Sequence, residues 1–449
     1  MLAYLTALSK YFILILMVFY TIEALTVVFF KRKSNAVFIR QEIYLFFIQF
    51  FAYATICLKS GKIDYLFFYA ILQLVIFSAI VLYQTIYPGI DKGLLNNLTL
   101  LLSLGFIILT RLDFSKAVKQ LIIASVSLTL SFFVPTLIRH LSLLRRLKWL
   151  YVSLGLACLS VVLILGQVTN GSKIFYTVAG ITIQPSEFVK VIFVFAVAAL
   201  LYHKKRFSTY VVSAVIAALH VLILVASRDL GSALIFFVTY MAMLFVASKN
   251  YLYLAMGMLA GSGAAYAAGK LFTHVQVRVQ AFLDPFSVID KEGFQITQSL
   301  FAVACGGFWG TGLMKGVPED IPYVESDFIF SAIAEEMGVI VAVCMLLVCV
   351  FCFLTFMKTA MVIRDSYYRL VAVGFGVMYI FQVFLTVGGG IKFIPLTGVT
   401  LPLVSYGGSS VLVSIVIFAI VQGIILRAKD EADNEAEDEE EDLYEDEEE

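Results

Sequence analysis

Ile321-Pro-Tyr-Val-Glu-Ser-Asp-Phe-Ile-Phe-Ser-Ala-Ile-Ala-Glu-Glu-Met-Gly338 carries a polar segment into an apolar run that continues to about residue 357. Read as a helix, it spaces Asp327, Ser331 and Glu335 at i, i+4 and i+8, on one stripe. Two carboxylic acids on one stripe of an apolar helix are costly in lipid, so the stripe is expected to face a polar cavity. Chemistry is the first hypothesis for such a stripe.

The surroundings are membrane sequence. The chain has 449 residues, of which 61% are hydrophobic, and its mean hydropathy is +0.95. Soluble chains lie nearer 45–50% apolar, so an integral, multi-pass membrane protein is expected. The 32 basic and 32 acidic residues cancel, but unevenly. Asp430–Glu449 holds 15 acidic residues and no basic ones, leaving 32 basic against 17 acidic elsewhere. That tail has little to bury and is expected to be disordered, either a solubilising extension or a docking segment for a partner. Nothing in the pattern points to nucleic acid.

Five of the six cysteines (Cys57, Cys158, Cys344, Cys349 and Cys352) sit in apolar runs, and Cys305 lies in a Gly-rich stretch. They read as small hydrophobes. The four histidines, His140, His203, His220 and His274, are scattered and form no metal-ligand pattern. The first apolar run, near 11–30, lacks a basic leader and a small-residue cleavage site, so it reads as a span and not a removed signal.

At about 20 apolar residues per span, spans are expected near 11–30, 41–58, 64–86, 97–111, 118–138, 149–168, 186–203, 208–226, 229–247, 251–270, 327–357, 367–388 and 400–426. Five basic clusters fall on alternate loops: Lys31-Arg-Lys33 with Arg40; Arg139, Arg145, Arg146 and Lys148; Lys204-Lys-Arg206; Lys358, Arg364 and Arg369; and Arg427 with Lys429. Short loops rich in Lys and Arg stay in the cytoplasm. The N-terminus and the 271–326 segment are then outside, and the acidic tail inside. Lys59 and Lys62 fall outside, against the rule.

The 271–326 segment contains Phe294–Phe301, read as an interfacial helix, and Gly306-Gly-Phe-Trp-Gly-Thr-Gly312. The glycines permit tight turns, and no strand precedes them to make a phosphate loop. Trp309 reads as an interfacial anchor. In Gln184-Pro-Ser-Glu-Phe-Val-Lys190, Pro185 and Ser186 suit a helix start. Glu187 and Lys190 form either a self-neutralising pair or a cation for an anionic head group. In Ser227-Arg-Asp-Leu-Gly-Ser232, Asp229 suits an N-cap and Arg228 an anionic substrate. Arg111 and Asp113 read as an interfacial pair. Leu401-Pro-Leu-Val-Ser-Tyr-Gly-Gly-Ser-Ser410, after Gly388-Gly-Gly390 and Pro395, reads as a broken helix, tolerated where protein or a wet cavity satisfies the backbone. Close packing through Gly and Ser is the alternative. A broken helix fits a transporter as well as an enzyme.

Taken together, Gln184-Pro-Ser-Glu187, Asp229-Leu-Gly231, Ala281-Phe-Leu-Asp-Pro285, Gln298-Ser299, Gly310-x-Gly312, Asp327-Phe-Ile-Phe330, Glu335-Glu336 and Pro402–Ser410 stand in an order that resembles the RodA/FtsW/SpoVE (SEDS) family. The resemblance covers roughly 95–427, ten spans, and leaves 1–94 as three extra N-terminal spans and 428–449 as the acidic tail. It implies an all-α polytopic helix bundle in the bacterial cytoplasmic membrane. The implied activity is a glycosyltransferase that polymerises lipid II at the outer face during elongation, division or sporulation. Asp327 then matches the essential aspartate and Glu335 a second important carboxylate. Glu187, Lys190, Arg228, Asp229 and Ser405 fall at substrate-binding positions. A class B penicillin-binding transpeptidase is the implied partner. A divalent cation, held by Glu319, Asp320, Glu325 and Asp327, would share the leaving-group charge.

The chain departs from the family pattern in three places. Tyr323 and Glu325 stand where many members have Glu and His, Thr386 where Asn is usual, and Arg228 where Pro is common. A flippase for a lipid-linked precursor is the competing reading, and a recruiting scaffold a third.

Overall fold

The computed structural model describes residues 2–30, 34–169, 172–178, 181–202, 206–291 and 293–448. Lys31–Lys33, Lys204 and Lys205, parts of two of the expected basic clusters, and His203 lie outside them. Ten helices among the described residues are long and apolar enough to cross a membrane.

Three helices precede the part of the chain that carries the motifs: α1 (Leu2–Phe29), α2 (Asn35–Ser60) and α3 (Asp64–Ile86). They pack on α4 (Lys92–Leu112), which is buried on all sides from Gly93 to Thr110. Its polar residues decide how the first helices dock. Tyr20 donates to Asn97 (3.0 Å), Asn96 to Gln41 (3.1 Å), and Tyr53 meets Thr110 (3.1 Å). Hydrogen bonds between membrane helices fix rotation as well as contact. The added helices therefore share one core with the rest.

After α4 come α5 (Phe114–Ser131), α6 (Phe133–His140), α7 (Lys148–Leu165), α8 (Pro185–Leu201), α9 (Phe207–Ala226) and α10 (Leu230–Ser248). Then α11 (Tyr251–Leu271), which buries no residue, leads through α12 (Thr273–Leu283) and α13 (Phe294–Gly306) to α14 (Ile329–Met337), α15 (Val339–Val362), α16 (Ser366–Gly390) and α17 (Gly408–Glu448). Aspartates set several starts: Asp91 accepts from Leu94 N, Asp229 from Ser232 N and Asp365 from Tyr367 N.

Four expectations change. The span expected over 327–357 breaks at Gly338 (φ +94°), where its backbone crosses Gly310 (φ +73°). A Cβ on Gly310 would lie 2.6 Å from Gly338 N, and one on Gly338 2.6 Å from Gly310 N, so neither position has room for a side chain. The last span starts at Gly408, with irregular chain before it. Between α7 and α8 stands a small antiparallel sheet absent from the expected all-α pattern: β1 (Gln167–Thr169), β2 (Ser172–Val178) and β3 (Ile181–Ile183). Gln167 pairs with Phe175, and Tyr176 with Ile183. Finally, the acidic tail continues α17 as helix where disorder was expected. Asp430 pairs with Arg139 (2.6 Å), Glu431 with Arg427 (3.5 Å) and Glu435 with Arg364.

Lys59, the exception to the charge rule, donates to Leu313 O (2.8 Å), and Lys10 to Gly310 O (2.9 Å). Both cations are thus used by the long segment on that side. Satisfying backbone carbonyls gives them a reason to be there.

Candidate active site

Asp327 sits in the turn before α14, not on it: its N–H donates to Tyr323 O, and the helix opens at Ile329. The stripe expected from the spacing therefore does not form. Asp327 faces a cavity of about 670 Å³. Ser331, buried, bonds Ser299 (2.6 Å). Glu335 points elsewhere, accepting from Val317 N (2.9 Å).

The cavity gathers residues from distant segments. Lys119 comes from α5, Phe175 from β2, Gln184 and Glu187 from the start of α8, Arg228 and Asp229 from the start of α10, Arg278 from α12, and Thr397–Thr400 and Tyr406–Ser410 from the two sides of the broken span. Three cations and three carboxylates share its wall. Arg278 donates to Thr397 O (3.1 Å). Gly398 lies between that guanidinium and the key acid: a Cβ there would come 3.6 Å from Asp327 Oδ2 and 3.8 Å from Arg278 Nη2.

Burial pushes the Asp327 carboxyl up to about 6. The Ser326 hydroxyl and the Arg278 charge pull the other way, and Glu325 adds to the rise. A carboxylate near 6 is ionised at neutral pH yet more basic than an ordinary aspartate.

Two strips of backbone hold Asp327 in place. Tyr406 N donates to Glu325 O (2.7 Å) and Ser405 Oγ to Ser326 O, while Leu401 N donates to Ser405 Oγ (2.9 Å). Gln120 braces the turn from α5, donating to Ser405 O (3.1 Å) and accepting from Gly407 N (3.0 Å). Lys116 pairs with Glu325 (2.6 Å). The polar break before α17 is therefore the cradle of the Asp327 turn.

Of the residues singled out in the sequence, Asp327, Glu187, Arg228 and Asp229 line the cavity; Lys190, Ser405 and Glu335 do not. Lys190 is 1% exposed and donates to Glu187 (2.6 Å) and Gln382 (2.8 Å), which is the self-neutralising reading. Ser405, 1% exposed, positions the turn. Asp229 also accepts from Ser186 (3.0 Å), joining the starts of α8 and α10. Glu335 and Glu336 staple the 306–319 stretch to α14: Thr311 N donates to Glu335 O, Gly312 N to Glu336 O, and Arg111 bridges Glu336 and Glu319 (both 2.8 Å). The acidic cluster expected to hold a cation is dispersed, since Glu319 and Glu325 are each paired with a base. Among the described residues no group of three or more His, Cys, Asp or Glu converges for a metal. Arg278, Lys119 and Gln120 were missed in the sequence, where each stands in an ordinary amphipathic stretch.

The family model of the FtsW/RodA/SpoVE cell cycle proteins matches residues 93–430. The peptidoglycan glycosyltransferase RodA of Mycobacterium tuberculosis is 31% identical over 366 residues, covering 75% of this chain and 78% of that protein. The probable peptidoglycan glycosyltransferase FtsW of Alcanivorax borkumensis is 30% identical over 383 residues, 78% of this chain and 95% of the relative. A chain of a peptidoglycan synthase complex that coordinates polymerization and crosslinking superposes with a TM-score of 0.64 at 26% identity, covering 76% of this chain and 98% of that one. The rod shape determining protein RodA of Thermus thermophilus shares the fold, with a TM-score of 0.58 at 24% identity over 76% of this chain and 97% of its own. Motifs, fold and relatives agree: the chain belongs to the FtsW/RodA/SpoVE family.

Proposed function

We propose that this chain is a peptidoglycan glycosyltransferase that polymerises lipid II, with Asp327 as general base. The observation that carries the reading is the Asp327 carboxylate on the wall of a cavity that also presents Arg278, Arg228 and Lys119. In the reaction the acceptor sugar hydroxyl attacks the anomeric carbon of the donor. The new C–O bond forms as the bond to the lipid diphosphate breaks, and Asp327 takes the hydroxyl proton. The three cations offset negative charge on the departing diphosphate. Glu335 supports the fold beneath this site through the 306–319 stretch, and Ser405 supports it through the Asp327 turn.

The cavity opens on the side where Lys10 and Lys59 contact the long segment, away from the Arg139, Arg145 and Arg427 end. The positive-inside rule supports reading that side as the outer face of the cytoplasmic membrane, where lipid-linked sugars would be polymerised. A class B penicillin-binding transpeptidase working beside the chain would cross-link the product. The synthase complex that this fold resembles supports such a partner.

The test is purified chain with lipid II, with and without a cognate transpeptidase, resolved on a gel that separates glycan lengths. Wild type should give a ladder and Asp327→Asn none. A full ladder from Asp327→Asn would overturn the base assignment. Lipid translocation in liposomes without any polymer would overturn glycosyl transfer itself.

A further inference from the structure

At the end of the bundle opposite Asp327, a second cavity of about 440 Å³ lies between the starts of α7 and α9 and the end of α8. Its charged lining among the described residues is Arg145, Arg146 and Lys148, with no carboxylate. Arg145 has a long contact to Asp365 (3.8 Å); Arg146 and Lys148 have no ion pair among the described residues. Ser208 and Thr209 add hydroxyls, and Trp149, 59% exposed, adds an indole.

The backbone adds to the same field. Both helices that open here, α7 and α9, lack a side-chain N-cap. Their first-turn N–H groups carry partial positive charge that an anion would satisfy. Among the described lining residues three cations and no acid leave the cavity electropositive. Of the acidic tail, Asp430, Glu431 and Glu435 are engaged elsewhere, by Arg139, Arg427 and Arg364.

We propose that this cavity binds the phosphoryl head group of an acidic phospholipid. The apolar surroundings select a lipid over a soluble anion. Leu200 and Val212 line the cavity, and Phe207 (69% exposed) and Leu150 (55% exposed) stand beside it, where acyl chains would run. Basic pockets at the end of membrane helices attract acidic head groups, and an indole settles at the level of those head groups. Under the orientation proposed above the lipid belongs to the cytoplasmic leaflet, but the site itself does not depend on the transferase reading.

The chain has two tryptophans, Trp149 and Trp309. Trp309→Phe leaves Trp149 as the sole reporter. In full-length protein reconstituted in nanodiscs, bromine-labelled phosphatidylglycerol should quench Trp149 more than bromine-labelled phosphatidylcholine at the same mole fraction. Arg145→Gln/Arg146→Gln/Lys148→Gln should abolish the difference, and Arg145→Lys/Arg146→Lys should keep it. Equal quenching by the two lipids, or a preference that survives the triple glutamine variant, would overturn the site. Loss of the preference on adding inorganic phosphate, but not chloride at equal ionic strength, would assign the cavity to a free anion and overturn the lipid. Polymerisation of lipid II plays no part in this readout, so failure here and failure of the transferase assignment are separable.

Discussion

Two acid–base pairs near the Asp327 cavity have opposite designs. Glu187 and Lys190 touch at 2.6 Å on one face of α8, and Gln382 completes the lysine's bonds. Asp327 and Arg278 come from an irregular turn and from α12, with Gly398 between them and no ion pair joining them among the described residues. The first pair spends its charge internally. The second leaves a carboxylate and a guanidinium facing the same space. A buried charge that is fully paired supports the fold, whereas one left partly paired at a cavity wall is available for proton transfer.

That contrast can be broken by substitution. Asp327→Asn should lower polymerisation by about 100- to 10,000-fold, the usual share of a general base, with little change in melting temperature. Lys190→Met should do the reverse in kind. It strands the buried Glu187 carboxylate, and removing one partner of a buried pair costs about 3–5 kcal/mol, read as lost thermal stability in detergent. Glu187→Gln/Lys190→Met together should recover much of that loss. If Lys190→Met kept full stability and lost only activity, the lysine would be a substrate ligand and the contrast would fail.

Smaller effects sharpen the picture. Ser405→Ala removes the hydroxyl shared by Leu401 N and Ser326 O, at a cost of about 1–3 kcal/mol for the buried groups left unpaired. Activity should fall through misplacement of the Asp327 turn, and Ser405→Thr should restore part of it. Lys59→Met removes one bond to Leu313 O and should cost about 0.5–1.5 kcal/mol, seen as faster proteolysis of the 306–319 stretch before any loss of polymerisation.

Much of this was legible in the sequence. Hydropathy located the ten helices long enough to cross a membrane, though the spans expected near 149–168, 186–203 and 251–270 are not among them, and the motifs located Asp327, Glu187, Arg228 and Asp229 at one place. The stripe failed because an i, i+4, i+8 spacing assumes helix throughout, and the Tyr323–Asp327 turn puts its acid before the first helical residue. Glu335 then rotates onto the loop at Val317. The small sheet left a trace in Ile174-Phe-Tyr-Thr-Val178 and Ile181-Thr-Ile183, β-branched and aromatic residues lying between the spans expected over 149–168 and 186–203. Arg278 carried no local signal, since its role depends on α12 returning to Thr397, 119 positions along the chain. Docking of α1 and α2 rests on Asn96, Asn97 and Ser103, polar residues of α4 that meet Gln41, Tyr20 and Gln49.

The most direct test of the central claim is the pH dependence of lipid II polymerisation by the wild-type chain. A general base works deprotonated, and burial holds the Asp327 carboxyl at about 6. The rate should therefore rise as pH climbs through about 6 and level off above it. Arg278→Gln removes a charge that favours the ionised acid, so its rise should move to higher pH; Glu325→Gln removes an opposing charge and should move it lower. A profile flat from acid to neutral, or one that neither substitution displaces, would contradict Asp327 as the base.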